Sequence, residues 1–238
     1  MSLTLNERDR HPEVMDQPGL DVDLHREALR GLGLINRLSR TPAAVWNPIR
    51  QLALESGTRR PLRILDIACG GGDVALDLAR RAARVGIDVE IEGLDISPTA
   101  LEFARMTAER QGISNVRFRE ADVLSGPLPA GFDVVTCTLF LHHLDEHEAG
   151  GLLSRMATAA ERLVVVSDLR RTRVGYLMAN LVGRVLTRSP VVRVDGPLSV
   201  RAAFSLEEFR RLAERSGMAG AGIRSCWPQR FLLTWRRT

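Results

Sequence analysis

The sequence predicts an α/β fold: a doubly wound, seven-stranded sheet, mostly parallel with one antiparallel strand, and helices on both faces. Three observations carry this. From Arg63 onward, short apolar runs alternate with helix-like segments, as in βαβ units. Three glycines, Gly70-Gly-Gly72, follow the first of those runs and precede the first helix. The last two strand candidates are separated only by Pro228 and Gln229. That is too short for a parallel crossover, so the pair forms an antiparallel hairpin.

Residues 1–60 read as an N-terminal helical cap. Leu24, Ala28, Leu29, Leu32, Ile35 and Leu38 recur at spacings of one, three and four, an amphipathic stripe. Such a stripe suits core packing or a cap over a bound ligand. Pro42 and Pro48 are expected to break the segment into short helices. Residues 61–238 form the main domain. Its first strand is Arg63–Ile67, followed by a helix from Val74. Val89–Leu94 is the second strand, and Ser97-Pro98 caps a helix that runs to about Gln111 and ends at Gly112. Val116–Phe118 and Phe132–Thr138 are the third and fourth strands. Asp145 opens a helix to about Glu161, and Leu163–Asp168 is the fifth strand. Ser205-Leu-Glu-Glu208 is a capping box opening the helix Phe209–Ser216. Strands at about Gly222–Trp227 and Arg230–Trp235 close the chain.

Between the fifth strand and that capping box lies an insertion, residues 169–204, read as a lid or substrate-binding segment. Tyr176, Leu177, Leu181, Val182, Val185 and Leu186 recur at helical spacing. Pro190, Val191, Val192 and Pro197 suggest an extended stretch after them.

The 238 residues suit one large domain, or one domain with an added lid. A hydrophobic share of 45% excludes wholesale disorder. No apolar run approaches the roughly 20 residues that span a bilayer, so no stable membrane insertion is expected. The polar start Met1–Arg10 lacks the apolar core of a secretory signal. Cys69, Cys137 and Cys226 are scattered and form neither a disulfide framework nor a zinc site. A cytoplasmic protein is expected. The charge is 33 − 29 = +4, and every basic residue is arginine. Nucleic-acid binders generally use lysine too. We read the bias as GC-rich coding, and expect no nucleic-acid partner.

The strongest chemical signal is Leu65-Asp-Ile-Ala-Cys-Gly-Gly-Gly-Asp73. Glycines at a strand-to-helix turn let a ligand approach the backbone, and the helix N-terminus offers free N–H groups. Gly70, Gly72 and Ala75 also fit a dinucleotide fingerprint. Asp66, four residues earlier, would repel a pyrophosphate and suits a ligand with a cationic group. Asp95 closes the second strand, where an acid can accept both hydroxyls of a ribose. Asp122 follows the third, where it could accept an adenine amine beside the Val123 N–H. Three acids after three successive strands, in register with a glycine turn, are far stronger evidence than one.

These residues resemble the class I S-adenosylmethionine-dependent methyltransferases, a family with a Rossmann-like sheet. Asp66-x-Ala68-x-Gly70-x-Gly72 is similar to the family's first motif, with Ala68 where glycine is more usual. The resemblance covers about Arg63 to Trp235 and includes the reversed last strand. It implies S-adenosyl-L-methionine as cofactor and S-adenosyl-L-homocysteine as product. It implies cofactor contacts at Asp66, Ala68, Cys69, Gly70, Gly72, Asp95, Ile96, Asp122 and Val123. Thr138 and Leu139 would line the methionine part. Within the family, Leu141-His-His-Leu144 and the layout resemble the small-molecule branch that includes ubiquinone and menaquinone biosynthesis methyltransferases. The whole chain also resembles bacterial methyltransferases that modify aromatic polyketides.

A phenol or quinol acceptor must lose a proton, so a base working near neutral pH helps. His143, and after it His142, are the candidates; the plain alternative is a helix cap or a carbonyl contact. His11, His25 and His147 read as surface residues, and no metal is expected. Arg37 is a candidate partner for the methionine carboxylate, against an ordinary surface arginine. Tyr176, Met178 and Leu181 are candidates to face an apolar acceptor, against a simple core stripe. Arg170, Arg171 and Arg173 attract an acidic substrate or end a solvated helix. The leading reading is methyl transfer to a small, largely apolar molecule, at a phenol or quinol oxygen, by a monomer or homodimer. The alternatives are C-methylation of a quinone precursor, methylation of RNA or protein, a nicotinamide oxidoreductase, and a non-catalytic cofactor-binding protein.

Overall fold

The computed structural model of the chain describes residues 5–17, 19–57 and 60–237. The outer ends of the two expected segments, and residues 58–59 at their junction, lie outside that range.

The seven strands are β1 (Leu62–Ile67), β2 (Val89–Asp95), β3 (Val116–Glu120), β4 (Phe132–Thr138), β5 (Ala160–Leu169), β6 (Gly222–Cys226) and β7 (Arg230–Arg236). They form one sheet in the order β3-β2-β1-β4-β5-β7-β6. β1 to β5 pair in parallel, and β7 runs antiparallel to both β5 and β6. The expected hairpin is therefore present, and the order reverses between β1 and β4. In open α/β sheets a ligand crevice opens at such a switch point, beyond the carboxyl ends of the strands.

The helices are α1 (Val22–Leu38), α2 (Thr41–Ser56), α3 (Asp73–Arg84), α4 (Pro98–Arg110), α5 (Glu146–Ala159), α6 (Arg173–Val185), α7 (Pro190–Ala202) and α8 (Leu206–Arg215). Local chemistry fixes their starts. The Ser97 hydroxyl accepts from Ala100 N–H, with Pro98 in the first turn of α4. Asp145 with Glu148 and Ser205 with Glu208 form complete capping boxes. Alternate strand residues feed two apolar layers. Ile64, Val134 and Val165 face one, shared with α3; Leu65, Val135 and Val164 face the other, shared with α5 and α8.

Several boundaries differ from the sequence reading. α5 ends at Ala159 and β5 begins at Ala160, so the strand starts three residues early. α8 likewise starts at Leu206. Pro48 does not break α2, which passes through it. A proline inside a helix costs about 3 kcal/mol. Val45, Trp46, Ile49 and Leu52 of α2 are buried in the same layer as β1 and α3, and that burial offsets the cost. The stretch after α6 is not extended. It is α7, with Ser189 as cap, Pro190 in the first turn and Pro197 inside. Val191, Val192 and Val200 are buried there, and packing again overrides the proline signal.

Candidate active site

The carboxyl ends of β1 to β4, with α1, α6 and α7 above them, enclose a cavity of about 880 Å³. One end is the turn after β1. Gly70 has φ +51°, and a Cβ built there meets nothing within 4 Å, so the space above it is open. Gly72 differs. A Cβ on it would lie 2.6 Å from the Phe118 ring, so Gly72 serves packing under the turn. Ala68 and Leu139 also hold positive φ, at 51° and 55°, and both line the cavity. Non-glycine residues in this region are strained and concentrate at functional sites.

Asp95 braces the turn. Its Oδ2 accepts from Gly70 N–H at 2.7 Å, and its Oδ1 from Ser97 N–H at 2.9 Å. Burial pushes its carboxyl above the usual range, against those two bonds. Asp66 lies beneath the turn. Its Oδ1 accepts from the Thr136 hydroxyl at 2.7 Å, while its Oδ2 is buried with no partner among the described residues. Burial raises this carboxyl to about 7. Asp122 is exposed at the rim, held low by the Ser125 hydroxyl and by Leu124 N–H.

The cavity's other end is a cluster of carboxylates and imidazoles. His142 and His143 sit on a 3-10 turn, Leu141–His143, directly after β4. His142 is buried, with Nδ1 2.7 Å from Asp168 Oδ1 at the end of β5 and Nε2 3.6 Å from Glu13 Oε1. Burial opposes its protonation, but the Asp168 charge and hydrogen bond, with Glu13 behind them, outweigh it and raise the imidazole to about 10. His142 is thus an imidazolium at neutral pH. His143 is partly exposed, with Nδ1 3.0 Å from Asp16 Oδ2 and Nε2 3.9 Å from Glu13 Oε2. Its ring lies 5.9 Å from that of Phe140. Burial works against ionisation of Glu13, yet contact with His142 and the charge of His143 hold its carboxyl below the ordinary range.

A cation is conceivable in this cluster, because Glu13, His142 and His143 offer ligand atoms within 4.8 Å of one another. No metal is expected from the sequence, where Glu13 lies far from the two histidines and no local spacing announces the group. The His142 imidazolium already supplies a positive charge between Asp168 and Glu13.

The cavity wall includes Ala68, Cys69, Gly70, Asp95 and Ile96, then Asp122, Val123, Thr138 and Leu139, and at the end away from the glycine turn His142, His143 and Met178. Five expected residues lie elsewhere. Asp66 and Gly72 are under the turn. Arg37 lines a separate groove with Arg30, Pro42 and Arg80, because one helical step from Asn36 turns it outward. Leu181 points to solvent on the outer face of α6. Tyr176 is outside the wall as well. His25, read as a surface residue, lines the cavity, and burial lowers its imidazole below the usual value against the charges of Asp95 and Asp16. Arg171 is buried against Glu208 at 2.6 Å and is structural.

Sequence reasoning missed Glu13, Asp16, Asp168 and Arg230. Asp168 carried a signal, an acid ending a buried strand. Glu13 and Asp16 carried none. Arg230 is buried at the cavity wall, donates to Asn36 Oδ1 at 3.1 Å and to the Thr41 hydroxyl, and burial lowers it to about 10. Its Nε finds no partner among the described residues.

Residues 64–162 match the family model described as a methyltransferase domain. A demethylmenaquinone methyltransferase of Thermus thermophilus is 44% identical over 117 residues, 48% of this chain and 50% of that protein. A ubiquinone biosynthesis O-methyltransferase of Leptothrix cholodnii is 34% identical over 137 residues, 56% of each. The chain spans about half the length of the curated relatives it matches. A magnesium protoporphyrin IX methyltransferase from Synechocystis, solved with bound SAH, shares the fold with a TM-score of 0.59 at 20% identity, over 94% of this chain and 91% of that one. The matched segment is that of a methyltransferase domain, and the fold is shared with methyltransferase structures solved with the S-adenosylmethionine product. No helix among the described residues is long and apolar enough to cross a membrane.

Proposed function

We propose that the protein transfers a methyl group from S-adenosylmethionine to a hydroxyl oxygen of a small, largely apolar phenol or quinol. One observation carries this reading. A single cavity joins the glycine turn and its strand-end acids to a carboxylate–histidine cluster roofed by apolar helices.

The turn fits the cofactor. Asp66 Oδ2 is a buried acceptor without a partner among the described residues, under a turn suited to a cationic ligand, and the space over Gly70 is open. Asp95 would hold the ribose and Asp122 with Val123 the adenine. Arg230, whose buried Nε has no partner among the described residues, replaces Arg37 as the partner we assign to the methionine carboxylate. When bound, S-adenosylmethionine supplies a methyl group already activated on a sulfonium.

The chain's own work is positioning and proton removal. His142, already protonated, cannot take a proton; it neutralises Asp168 and Glu13. His143 accepts the acceptor's hydroxyl proton at Nε2, with Asp16 holding its Nδ1 side and Glu13 stabilising the imidazolium that forms. Met178, Val182 and Val200 give the acceptor an apolar wall and exclude water. The segments 13–17, 19–36 and 169–200, which supply cavity-lining residues, act together as the cap over this site, while α2 packs on the sheet.

The test is methyl transfer from labelled cofactor to a panel of alkylated phenols, quinols and demethylated quinone precursors. Label on a hydroxyl oxygen is expected, with turnover about 100-fold lower in His143→Gln. Label on a ring carbon would select C-methylation, and label on RNA or protein would overturn the small-molecule reading.

A further inference from the structure

The outer face of α6 is built against ordinary solvent exposure. Val174, Leu177, Leu181 and Val185 fall on one side of the helix and are 54, 67, 64 and 70% exposed. Trp227, 71% exposed, stands on the β6–β7 turn beside the start of this helix. That adjacency is fixed by three bonds. Thr172, the cap of α6, donates its hydroxyl to Gln229 Oε1 at 2.8 Å; Arg170 N–H donates to Gln229 O at 3.0 Å; and Arg170 Nη1 donates to Ser225 Oγ at 3.0 Å. Single exposed aliphatic residues are common, but four in a stripe beside an exposed tryptophan mark an interaction surface.

Charge says what covers it. Between Asp168 and Asp195 the chain has six arginines, at 170, 171, 173, 184, 188 and 193, and no acidic residue. Arg171 is spent on Glu208, but Arg173, Arg184 and Arg188 are exposed and in no ion pair among the described residues. An apolar helix face with an aromatic anchor and unpaired arginines at its flanks is the chemistry of an interfacial helix on anionic lipid. A second copy of the chain would bring the same positive charge against itself.

We propose that α6 and the Trp227 turn dock the protein peripherally on an anionic phospholipid surface. The opposite face of the same helix, with Gly175, Met178, Ala179, Val182 and Gly183, lines the cavity. One helix therefore separates lipid from active site. Where the methyl-transfer reading holds, an apolar acceptor dissolved in the bilayer enters beside α6 without crossing water. The docking itself does not rest on that reading.

The test is co-sedimentation of the full chain with vesicles of phosphatidylcholine, alone or with phosphatidylglycerol. Binding is expected to the anionic vesicles only, falling at least tenfold when salt rises from about 50 to 500 mM, since surface charge is screened. Leu177→Asp with Val185→Asp should lose binding at least tenfold, and Arg173→Glu with Arg184→Glu should weaken it. None of these side chains touches the cavity, so each variant should keep its circular dichroism and its affinity for S-adenosylhomocysteine. A shift of tryptophan emission on vesicle binding should vanish in Trp227→Phe. No binding to anionic vesicles, or a wild-type dimer that Leu177→Asp dissociates, overturns the proposal. Failure of methyl transfer alone would leave the vesicle result standing.

Discussion

At the scale of single residues, the adjacent histidines divide their labour because their partners differ. His142 is sealed between Asp168 and Glu13, whereas His143 is partly exposed with Asp16 behind it. The folded state raises His142 to about 10, well above its ordinary 6.5. A raised pKa means the folded state holds the proton more tightly. The stabilisation is full below about pH 6.5 and is lost as pH rises through about 10. Urea unfolding at pH 6, 8 and 10 should show this fall in the wild type and a flatter profile in His142→Gln. That variant removes the buried positive charge between two carboxylates and should lose about 3 kcal/mol or more at pH 7. Equal stability of the variant and the wild type at pH 7 would contradict the pairing. Sequence offered the two histidines as equals, with a slight preference for His143. What separates them is Glu13 and Asp16, more than a hundred residues away in the chain, and no local pattern points there.

At the scale of elements, the turn between β1 and α3 uses its glycines for different ends. Gly70 needs its positive φ and keeps space open; Gly72 needs its positive φ and room for Phe118 and Ala104. Alanine at Gly70 should cost about 1–2 kcal/mol of backbone strain and keep the fold, while weakening cofactor binding. Alanine at Gly72 adds a clash to the same strain, about 1–3 kcal/mol more, and should show the larger drop in melting temperature. A reversed order would refute the assignment. Most elements here were legible because apolar runs, caps and turn residues agreed with the fold, as at Ser97-Pro98 and Ser205–Glu208. The failures were at proline. Pro48 and Pro197 read locally as breaks, yet each sits in a helix whose buried face is worth more than the lost hydrogen bond. Leu181 and Tyr176 failed differently. Periodicity gave the helix, but an amphipathic stripe does not say which apolar side faces inward when both sides are apolar.

At the scale of the whole molecule, the N-terminal arm completes the site from a distance. Arg8 Nε donates to Ala202 O at 2.7 Å and Arg8 Nη2 to Leu144 O at 2.7 Å, with the guanidinium over the Phe204 ring. Asp195 of α7 accepts from Val14 N–H and Met15 N–H at 2.8 and 3.0 Å. These contacts deliver Glu13 and Asp16 to the histidines. Arg8→Ala should lower methyl-transfer turnover about 10- to 100-fold through misplacement of that pair, with cofactor affinity nearly unchanged. Unchanged turnover would show that the arm does not position the cluster. The parallel sheet and its reversed last strand were readable because connection lengths constrain topology. The arm was not, because its docking rests on single arginines and carboxylates scattered through a polar stretch.

The central claim is that the turn after β1, braced by Asp95, holds S-adenosylmethionine. The most direct measurement is calorimetric titration of the full chain with S-adenosylmethionine and S-adenosylhomocysteine, on wild type and on Asp95→Ala. Asp95 accepts two backbone bonds and would hold the ribose, so its loss removes charge-assisted hydrogen bonds worth about 1.5–3 kcal/mol each. We expect binding on the order of micromolar in the wild type, weakened about 100-fold or more in the variant. No binding by the wild type, or equal affinity in the two proteins, would contradict the account.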